Sequence, residues 1–327
     1  MTPQVEMLEE NFSIEMLKNF SGLIFEMIER IYPPAVWLGN LMLGGEGLEG
    51  IVCIVASIVA LLGTITLISK YFHSICRNLY STTAKHNYEM EQLKQSSVVL
   101  TLYKRELKRY FSSSIYVSNT IIGPILAVVF AGSLLGVGLE TMQETLGLPF
   151  SIREVIPFLI AGIFSVMTTT CTSVSMEGKE WWIVKSLPIS TKAILDSKLL
   201  VGISLAFPCY LIAEILLIAA LKPKFLELVW LLIIPAVCIL FTNVFGLTVN
   251  LKMPVFQWEN EVTIVKQSAS AALGGLGGML LVFVGMLPMF FVPMEYRDIA
   301  KGIVCIIFAG LTVILYKKNN KVHLSEL

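Results

Sequence analysis

Charged side chains are scarce in this sequence. Only 15% of its 327 residues are Asp, Glu, Lys or Arg, whereas 55% are hydrophobic. Charged residues make up roughly a quarter of an average soluble domain, so this composition favours a protein whose solvent is lipid. The formal net charge is zero, which gives no electrostatic reason to expect nucleic acid as a partner.

Catalytic motifs are also missing. The string around Gly178-Lys179 is not a P-loop, because Ser173 stands in place of the first glycine and Glu180 in place of the Ser or Thr. Neither HExxH nor GxSxG occurs. One carboxylate and no histidine within the apolar runs also disfavour an intramembrane acid–base enzyme. We therefore predict no catalytic residues and no cofactor.

Cysteine and histidine do not occur at the spacings of a disulfide framework or a metal site. No two of the six cysteines have CxxC spacing, and five lie within apolar runs, which predicts small side chains packed between helices. The three histidines are scattered, which favours solvated side chains over metal ligands. These residues are Cys53, Cys76, Cys171, Cys209, Cys238, Cys305, His73, His86 and His323.

Long apolar runs are what the sequence has instead. A membrane-spanning helix needs about 20 mostly apolar residues, because irregular backbone cannot satisfy its hydrogen bonds in hydrocarbon. The sequence predicts an all-α polytopic membrane helix bundle with about seven transmembrane helices and additional interfacial helices. The seven runs are 50–69, 114–137, 155–175, 199–221, 228–251, 268–294 and 299–316. The shorter apolar segment Pro33–Gly45 predicts an interfacial or re-entrant stretch.

Lys and Arg are distributed unevenly between the segments that join these runs. Segments 70–113, 176–198 and 252–267 and the C-terminal tail hold 17 of the 24 basic residues. The positive-inside rule therefore places these segments in the cytoplasm.

The predicted orientation divides the chain into three parts. Residues 1–49 would form an extracytoplasmic segment, 50–318 the transmembrane domain and 319–327 a cytoplasmic tail. Residues 1–30 contain six glutamates and have neither a basic start nor a continuous apolar core, so they do not resemble a signal peptide.

Residues 93–113 predict an amphipathic helix that lies on the membrane. Lys104, Arg105, Lys108 and Arg109 would reach anionic headgroups while apolar side chains enter the bilayer. The pattern leaves open whether this helix is a plain anchor or has a mechanical role.

The segment 176–198 predicts a short helix, a break at Pro188 and a long helix capped by Ser190. Trp181 and Trp182 would sit at headgroup depth, where amphipathic rings are favoured. Such a segment could pass a push from a soluble partner to a spanning helix. The alternative is an ordinary loop with two Trp anchors.

Three strings in or beside the predicted cytoplasmic segments resemble one known family. EGKEWWIVKSLPIS and the TKAILDSKLL that follows it, at 177–200, resemble the hallmark loop of permeases of bacterial ABC exporters of the second type. NLKMPVFQWENEVTIVKQSAS at 250–270 and YKRELKRYFSSSIYVSN at 103–119 match the same family. The resemblance covers roughly residues 30–318.

This resemblance implies a permease subunit in the cell membrane that exports a substrate using ATP hydrolysed by a separate cytoplasmic ABC ATPase. It implies that residues 176–187 form a coupling helix that docks on the ATPase. The residues expected in this contact are Glu177, Gly178, Lys179, Trp181, Trp182, Lys185 and Pro188. Those expected in a second cytoplasmic contact are Trp258, Glu259, Glu261 and Lys266.

The sequence departs from that family at its front. Family members usually carry additional spans before the region that begins here near residue 50. We therefore expect a truncated or split permease, or a partner that supplies the missing part, either a second copy or a second permease chain. The alternative function is a non-transporting membrane scaffold or regulatory subunit of such a complex.

Two features within the spans are candidates for function or packing. Glu214 is the only acidic residue within a run, where a charge costs at least about 2.5 kcal/mol. It is a candidate for the translocation path, and the alternatives are an interhelical hydrogen bond or a side chain that snorkels towards the outer face near Leu221. Gly274 and Gly278 form a GxxxG pair, which predicts close helix packing within the chain, or else a dimer contact or hinge.

Overall fold

The computed structural model contains two compact units, residues 1–93 and 94–327. The described residues are 33–42, 48–80, 97–137, 143, 152–166 and 168–323. In the first unit, α1 (Pro33–Met42) packs against α2 (Leu48–Tyr80). The ten residues of α1 extend about 15 Å, which is too short to cross a bilayer.

The second unit contains ten described α-helices. They are α3 (Val98–Ser112), α4 (Ser114–Val137), α5 (Ile152–Ser165), α6 (Trp181–Ser186), α7 (Thr191–Leu221), α8 (Phe225–Lys252), α9 (Glu261–Gln267), α10 (Ala269–Met286), α11 (Pro288–Phe291) and α12 (Arg297–Asn319). Short 3-10 turns lie at Thr169–Cys171, Ser175–Glu180 and Met294–Tyr296. No described residue lies in a β-strand, and the predicted all-α fold is confirmed.

Six helical segments are long and apolar enough to cross a membrane among the residues that the structure describes. They are Gly50–Phe72, Ser114–Gly136, Thr191–Leu221, Phe225–Lys252, Glu261–Phe291 and Met294–Asn319. Each corresponds to one of the predicted runs.

The remaining predicted run, 155–175, is wrong as a continuous spanning helix. The 14 residues of α5 extend only about 21 Å, and the helix ends at Ser165. The chain then enters the 3-10 turn Thr169–Cys171, in which the Cys171 amide donates to the Thr168 carbonyl at 3.3 Å. Threonine and serine are numerous here, and their hydroxyls compete with helical backbone hydrogen bonds, which explains the interruption.

The interrupted segment nevertheless runs from one end of the bundle to the other. At its start, Arg153 forms an ion pair at 3.0 Å with Glu227 in the first turn of α8, and Glu154 contacts Lys301 near the start of α12. At its end, the first 3-10 turn packs against the middle of α7 and the second half of α8. Residues 168–178 are all buried, so protein rather than lipid surrounds this irregular backbone.

The two glycines predicted to mediate helix packing lie at contacts within the chain. A Cβ atom on Gly274 would lie 2.5 Å from the Cβ of Cys171 and 3.5 Å from the Cα of Gly246. A Cβ on Gly278 would lie 3.4 Å from the Cγ2 of Thr242. Gly274 therefore lets α10 approach both α8 and the first 3-10 turn.

Candidate functional site

Helix α3 presents an acidic residue within its buried face. Ser97 caps the helix by accepting the Leu100 amide at 3.3 Å. Leu102, Glu106 and Tyr110 are its buried residues, and their spacing of four places them on one face. A carboxylate in the middle of this face requires a cationic partner, because a buried charge without one is very costly.

Five charged side chains meet beside this face, and we call them the charge cluster: Arg105, Glu106, Arg109, Glu177 and Lys198. Glu177 Oε1 accepts from Arg105 Nη2 at 2.8 Å and from Lys198 Nζ at 2.8 Å. Glu177 Oε2 accepts from Arg109 Nη2 at 2.6 Å. Glu106 Oε1 lies 3.1 Å from Lys198 Nζ, so one ammonium group contacts both carboxylates.

The charged groups of this cluster are buried or half-buried, so each charge is stabilised by the partners that it contacts. Glu177 is 5% exposed and Lys198 only 1%. Burial alone would raise the pKa of the Glu177 carboxyl, but Lys198 and the two arginines lower that pKa far below its usual range. Burial alone would lower the pKa of Arg109, but the hydrogen bond to Glu177 and the charges of Glu106 and Glu177 raise it above its usual value. Glu177 and Arg109 therefore remain charged at neutral pH.

The two arginines differ from their predicted role on the membrane surface. Arg105 and Arg109 contact the two carboxylates inside the protein, whereas Lys104 and Lys108 are exposed. The difference follows from helix geometry, since the arginines flank the buried face and the lysines lie further from it. Only the lysines remain candidates for headgroup contacts.

Asn250 fixes the second 3-10 turn, Ser175–Glu180, which carries Glu177. Its Oδ1 accepts from the Val174 amide at 2.8 Å and the Ser175 amide at 3.2 Å. Its Nδ2 donates to the hydroxyls of Ser175 at 2.7 Å and Ser270 at 3.1 Å. This fully buried amide of α8 thereby joins the turn to α10.

Gly178 adopts a backbone conformation that favours glycine. Its φ is +56° with ψ −139°, a region that side chains rarely tolerate. The Trp258 ring covers it, since a Cβ on Gly178 would lie 2.9 Å from Trp258 Cζ2. The Trp258 Nε1 donates to the Ser175 carbonyl at 3.0 Å. Trp258, expected in a second cytoplasmic contact, thus packs on the predicted docking segment.

The expected docking residues divide into buried and exposed groups. Glu177, Gly178 and Trp181 are buried, and Trp181 stacks on Phe256 with ring centroids 5.3 Å apart instead of lying beside its neighbour at the surface. Trp182 is 67% exposed. Lys179, Lys185 and Pro188 are exposed as well. A partner could touch only this second group directly.

The remaining residues of the expected second contact differ in their exposure and contacts. Ser113, between α3 and α4, donates its hydroxyl to the Glu261 carboxylate at the start of α9. Glu259 and Lys266 are exposed.

Glu214 lies in α7, seven residues before the helix ends at Leu221, and is 2% exposed. Neither of its carboxylate oxygens has a hydrogen-bond partner among the described residues. Glu214 therefore does not form the interhelical hydrogen bond that the sequence left open with any residue that the structure describes.

Sequence reasoning missed Glu106, Lys198 and Asn250 as parts of this site. A signal existed for Glu106, because its spacing from Leu102 and Tyr110 places it in the apolar face of α3. Lys198 gave no comparable signal, since its partners lie 21 residues away at Glu177 and much further at Glu106. Within the part of the chain that the structure describes, no group of three His, Cys, Asp or Glu side chains could hold a metal ion.

The helices and their apolar surfaces define a multi-pass α-helical membrane protein. Residues 7–318 match the family described as "Membrane protein of 12 TMs", and the chain belongs to this family. No curated protein and no solved structure gives a match.

Proposed function

We propose that this chain is the transmembrane permease subunit of an ATP-binding-cassette exporter. It would move a substrate across the cell membrane, while a separate cytoplasmic subunit hydrolyses ATP. The proposal is supported by the three strings that resemble such permeases, and by the charge cluster that joins two of them in space. Strings around Arg105 and Glu177, distant in sequence, meet at 2.8 Å.

The exposed side of α6 is the proposed docking surface for the ATPase. Together with the end of the preceding 3-10 turn, it presents an exposed surface formed by Lys179, Glu180, Trp182, Ile183 and Lys185. A mixture of one large aromatic side chain with charges of both signs is typical of interface anchors surrounded by residues that set charge match.

The charge cluster is the proposed route from this surface to the spanning helices. The second 3-10 turn leads directly into α6, and Glu177 in this turn binds Arg109 of α3 and Lys198 of α7. A displacement of α6 would therefore act on one interfacial and one spanning helix together. ATP-driven alternation needs such a connection, because the ATPase must bind the two transport states with different free energies.

Docking is tested with two charge-reversal variants, one on the proposed surface and one away from it. Glu180→Lys lies on the proposed surface, and Glu295→Lys makes the same change at an exposed residue before α12. Each tagged variant is purified from the cells that normally make the protein, and vanadate-sensitive ATP hydrolysis is measured in the eluate. We expect Glu180→Lys to lose most of the ATPase activity and Glu295→Lys to retain it. Equal activity in both eluates would reject α6 as the docking surface.

Transport is tested separately from docking. ATP-dependent flux in vesicles that contain the copurified complex would support an exporter. An associated ATPase whose activity drives no flux of any compound in the vesicles would favour the alternative, a scaffold or regulatory subunit.

A further inference from the structure

A cavity of about 100 Å³ lies where the first 3-10 turn, Thr169–Cys171, meets α7 and α8. It is separate from the exposed side of α6, and neither the charge cluster nor Glu214 lines it. Phe164, near the end of α5, and Thr168 and Thr169, at the start of the turn, form part of its wall.

One end of the cavity carries two buried polar groups without partners. Asn243 is 3% exposed and Thr169 is 6% exposed. Neither Asn243 Oδ1 nor Thr169 Oγ1 has a hydrogen-bond partner among the described residues. The Asn243 Nδ2 donates to the Ile239 carbonyl at 2.8 Å, which leaves Oδ1 as the free acceptor.

These two oxygens converge on Gly202 of α7. A Cβ at Gly202 would lie 2.1 Å from Asn243 Oδ1 and 3.0 Å from Thr169 Oγ1. The absence of a side chain at this residue therefore allows α7 to pack closely against both groups. Buried polar groups that remain unpaired cost free energy, which a ligand able to donate to Asn243 Oδ1 and to accept from Thr169 Oγ1 would recover.

Most of the cavity wall is apolar, including Phe164, Leu205 and Ile239, and no Asp, Glu, Lys, Arg or His lines it among the described residues. A charged ligand would have no counter-ion in the cavity, and burying a charge without one is very costly. Water would find hydrogen-bond partners mainly at the polar end, although an ordered water usually makes about three such bonds. A ligand with an apolar body and one hydroxyl group matches both the apolar wall and the polar end of the cavity.

We propose that this cavity binds the uncharged, hydroxyl-bearing end of an amphipathic molecule, whose hydroxyl donates to Asn243 Oδ1 and accepts from Thr169 Oγ1. The cavity also reaches Phe111 and Ile121, which are 63% and 38% exposed, at the junction of α3 and α4. A molecule dissolved in the membrane can therefore enter from the side. The site would then select neutral amphiphiles as cargo, a conclusion that rests on the proposed export function.

The binding claim is tested with 1-butanol, diethyl ether and butylammonium. The first two are isomers of which only the alcohol has a donor, and the third adds a charge. Ligand-observed NMR titrations use the full-length protein in lipid nanodiscs. We expect the wild type to bind 1-butanol about fivefold more tightly than the ether, because both oxygens can accept from the Thr169 hydroxyl but only the alcohol can donate to Asn243 Oδ1. Butylammonium should bind no better than the ether.

The matched variant is Thr169→Val with Asn243→Leu, which approximately keeps the shape of both side chains and removes both hydrogen-bonding groups. It should lose the preference for 1-butanol while its thermal midpoint without ligand does not fall, because unpaired polar groups are removed. Thr312→Val removes a hydroxyl outside the cavity and should keep the preference for 1-butanol.

Two results would overturn the proposal. The first is equal binding of the alcohol and the ether by the wild type, as expected of a cavity that holds water only. The second is an unchanged preference in the double variant. Copurification of the ATPase is independent of both, so failure of the site and failure of the export function are distinguishable.

Discussion

Glu177 accepts hydrogen bonds from three cationic side chains on two helices, Arg105, Arg109 and Lys198. Its 2.6 Å contact with Arg109 is short, as is usual when both groups are charged. Removing this carboxylate would leave three buried or half-buried cations with Glu106 alone. At the residue scale, Glu177 thus connects the second 3-10 turn to both α3 and α7.

Glu177→Gln is expected to destabilise the protein by about 3 kcal/mol or more, the usual cost of breaking a buried ion pair. Thermal unfolding in detergent measures the effect. Glu180→Gln makes the same change three residues away at an exposed side chain, where a change within about 0.5 kcal/mol is expected. Equal midpoints for the two variants would contradict the importance of the charge cluster.

The contribution of Glu177 to stability should depend on pH only in acid. Its pKa is lower in the folded protein than the unfolded value of about 4.3. The stabilisation is therefore fully present above about pH 5 and is lost as the pH falls towards the folded pKa. The gap between the unfolding midpoints of the wild type and Glu177→Gln should be constant from about pH 5 to about pH 7 and shrink below about pH 4. A gap that narrows near neutral pH would be inconsistent with a strongly lowered pKa.

Glu214 is expected to matter for transport and little for folding. Its carboxylate has no hydrogen-bond partner among the described residues, so Glu214→Gln breaks no such bond there. We predict an unchanged or higher thermal midpoint and a loss of ATP-dependent flux per folded molecule. A lower midpoint with unchanged flux would assign Glu214 to packing.

At the scale of elements, the structure depends on close contact between α10, α8 and the first 3-10 turn. Gly274 touches Cys171 and Gly246 within the chain, and no flexible side-chain end is available to give way. These contacts with α8 and α10 fix the position of the irregular segment that follows α5. Helix association in membranes relies on such packing, because lipid removes the hydrophobic driving force between helices.

Gly274→Ala should destabilise the protein by about 1–3 kcal/mol, the usual cost of overpacking. The added Cβ would lie 2.5 Å from the Cβ of Cys171. Gly277→Ala is the matched control on the same helix, since its nearest atom, Cε1 of Phe245, lies at an ordinary 3.8 Å. Thermal midpoints of the two variants in the same detergent should differ clearly. A Gly274→Ala midpoint at or above that of Gly277→Ala would show that α10 can move away without cost.

At the scale of the whole molecule, the orientation in the membrane remains a prediction from the distribution of Lys and Arg. It places α6 and the C-terminal end of α12 in the cytoplasm and Glu295 outside. Single cysteines in a variant without native cysteines, at Glu180, Glu295 and Lys318, test it with a membrane-impermeant thiol reagent on intact cells. We expect labelling at residue 295 alone. Labelling of 180 or 318 instead would invert the orientation.

The apolar runs alone were enough to predict six spanning segments and the all-α fold. Bilayer thickness imposes a length of about 20 apolar residues on each helix, and this constraint acts on consecutive residues. The cap at Ser190 was also predictable, because it depends on residues close in sequence. Its hydroxyl accepts the Ala193 amide three residues later.

Only the tertiary structure decided the path of the segment 155–175, which is a short helix followed by turns. It also decided that Arg105, Arg109 and Trp181 make contacts inside the protein. The segment 155–175 is uncharged and apolar enough overall to resemble a span, but its second half forms turns that contact Asn250 and Gly246 of α8. The charge cluster could not be read from the sequence, since Arg105 and Glu177 are 72 residues apart. Local pattern determines which segments become helices, whereas the pairing of buried charges depends on which helices pack together.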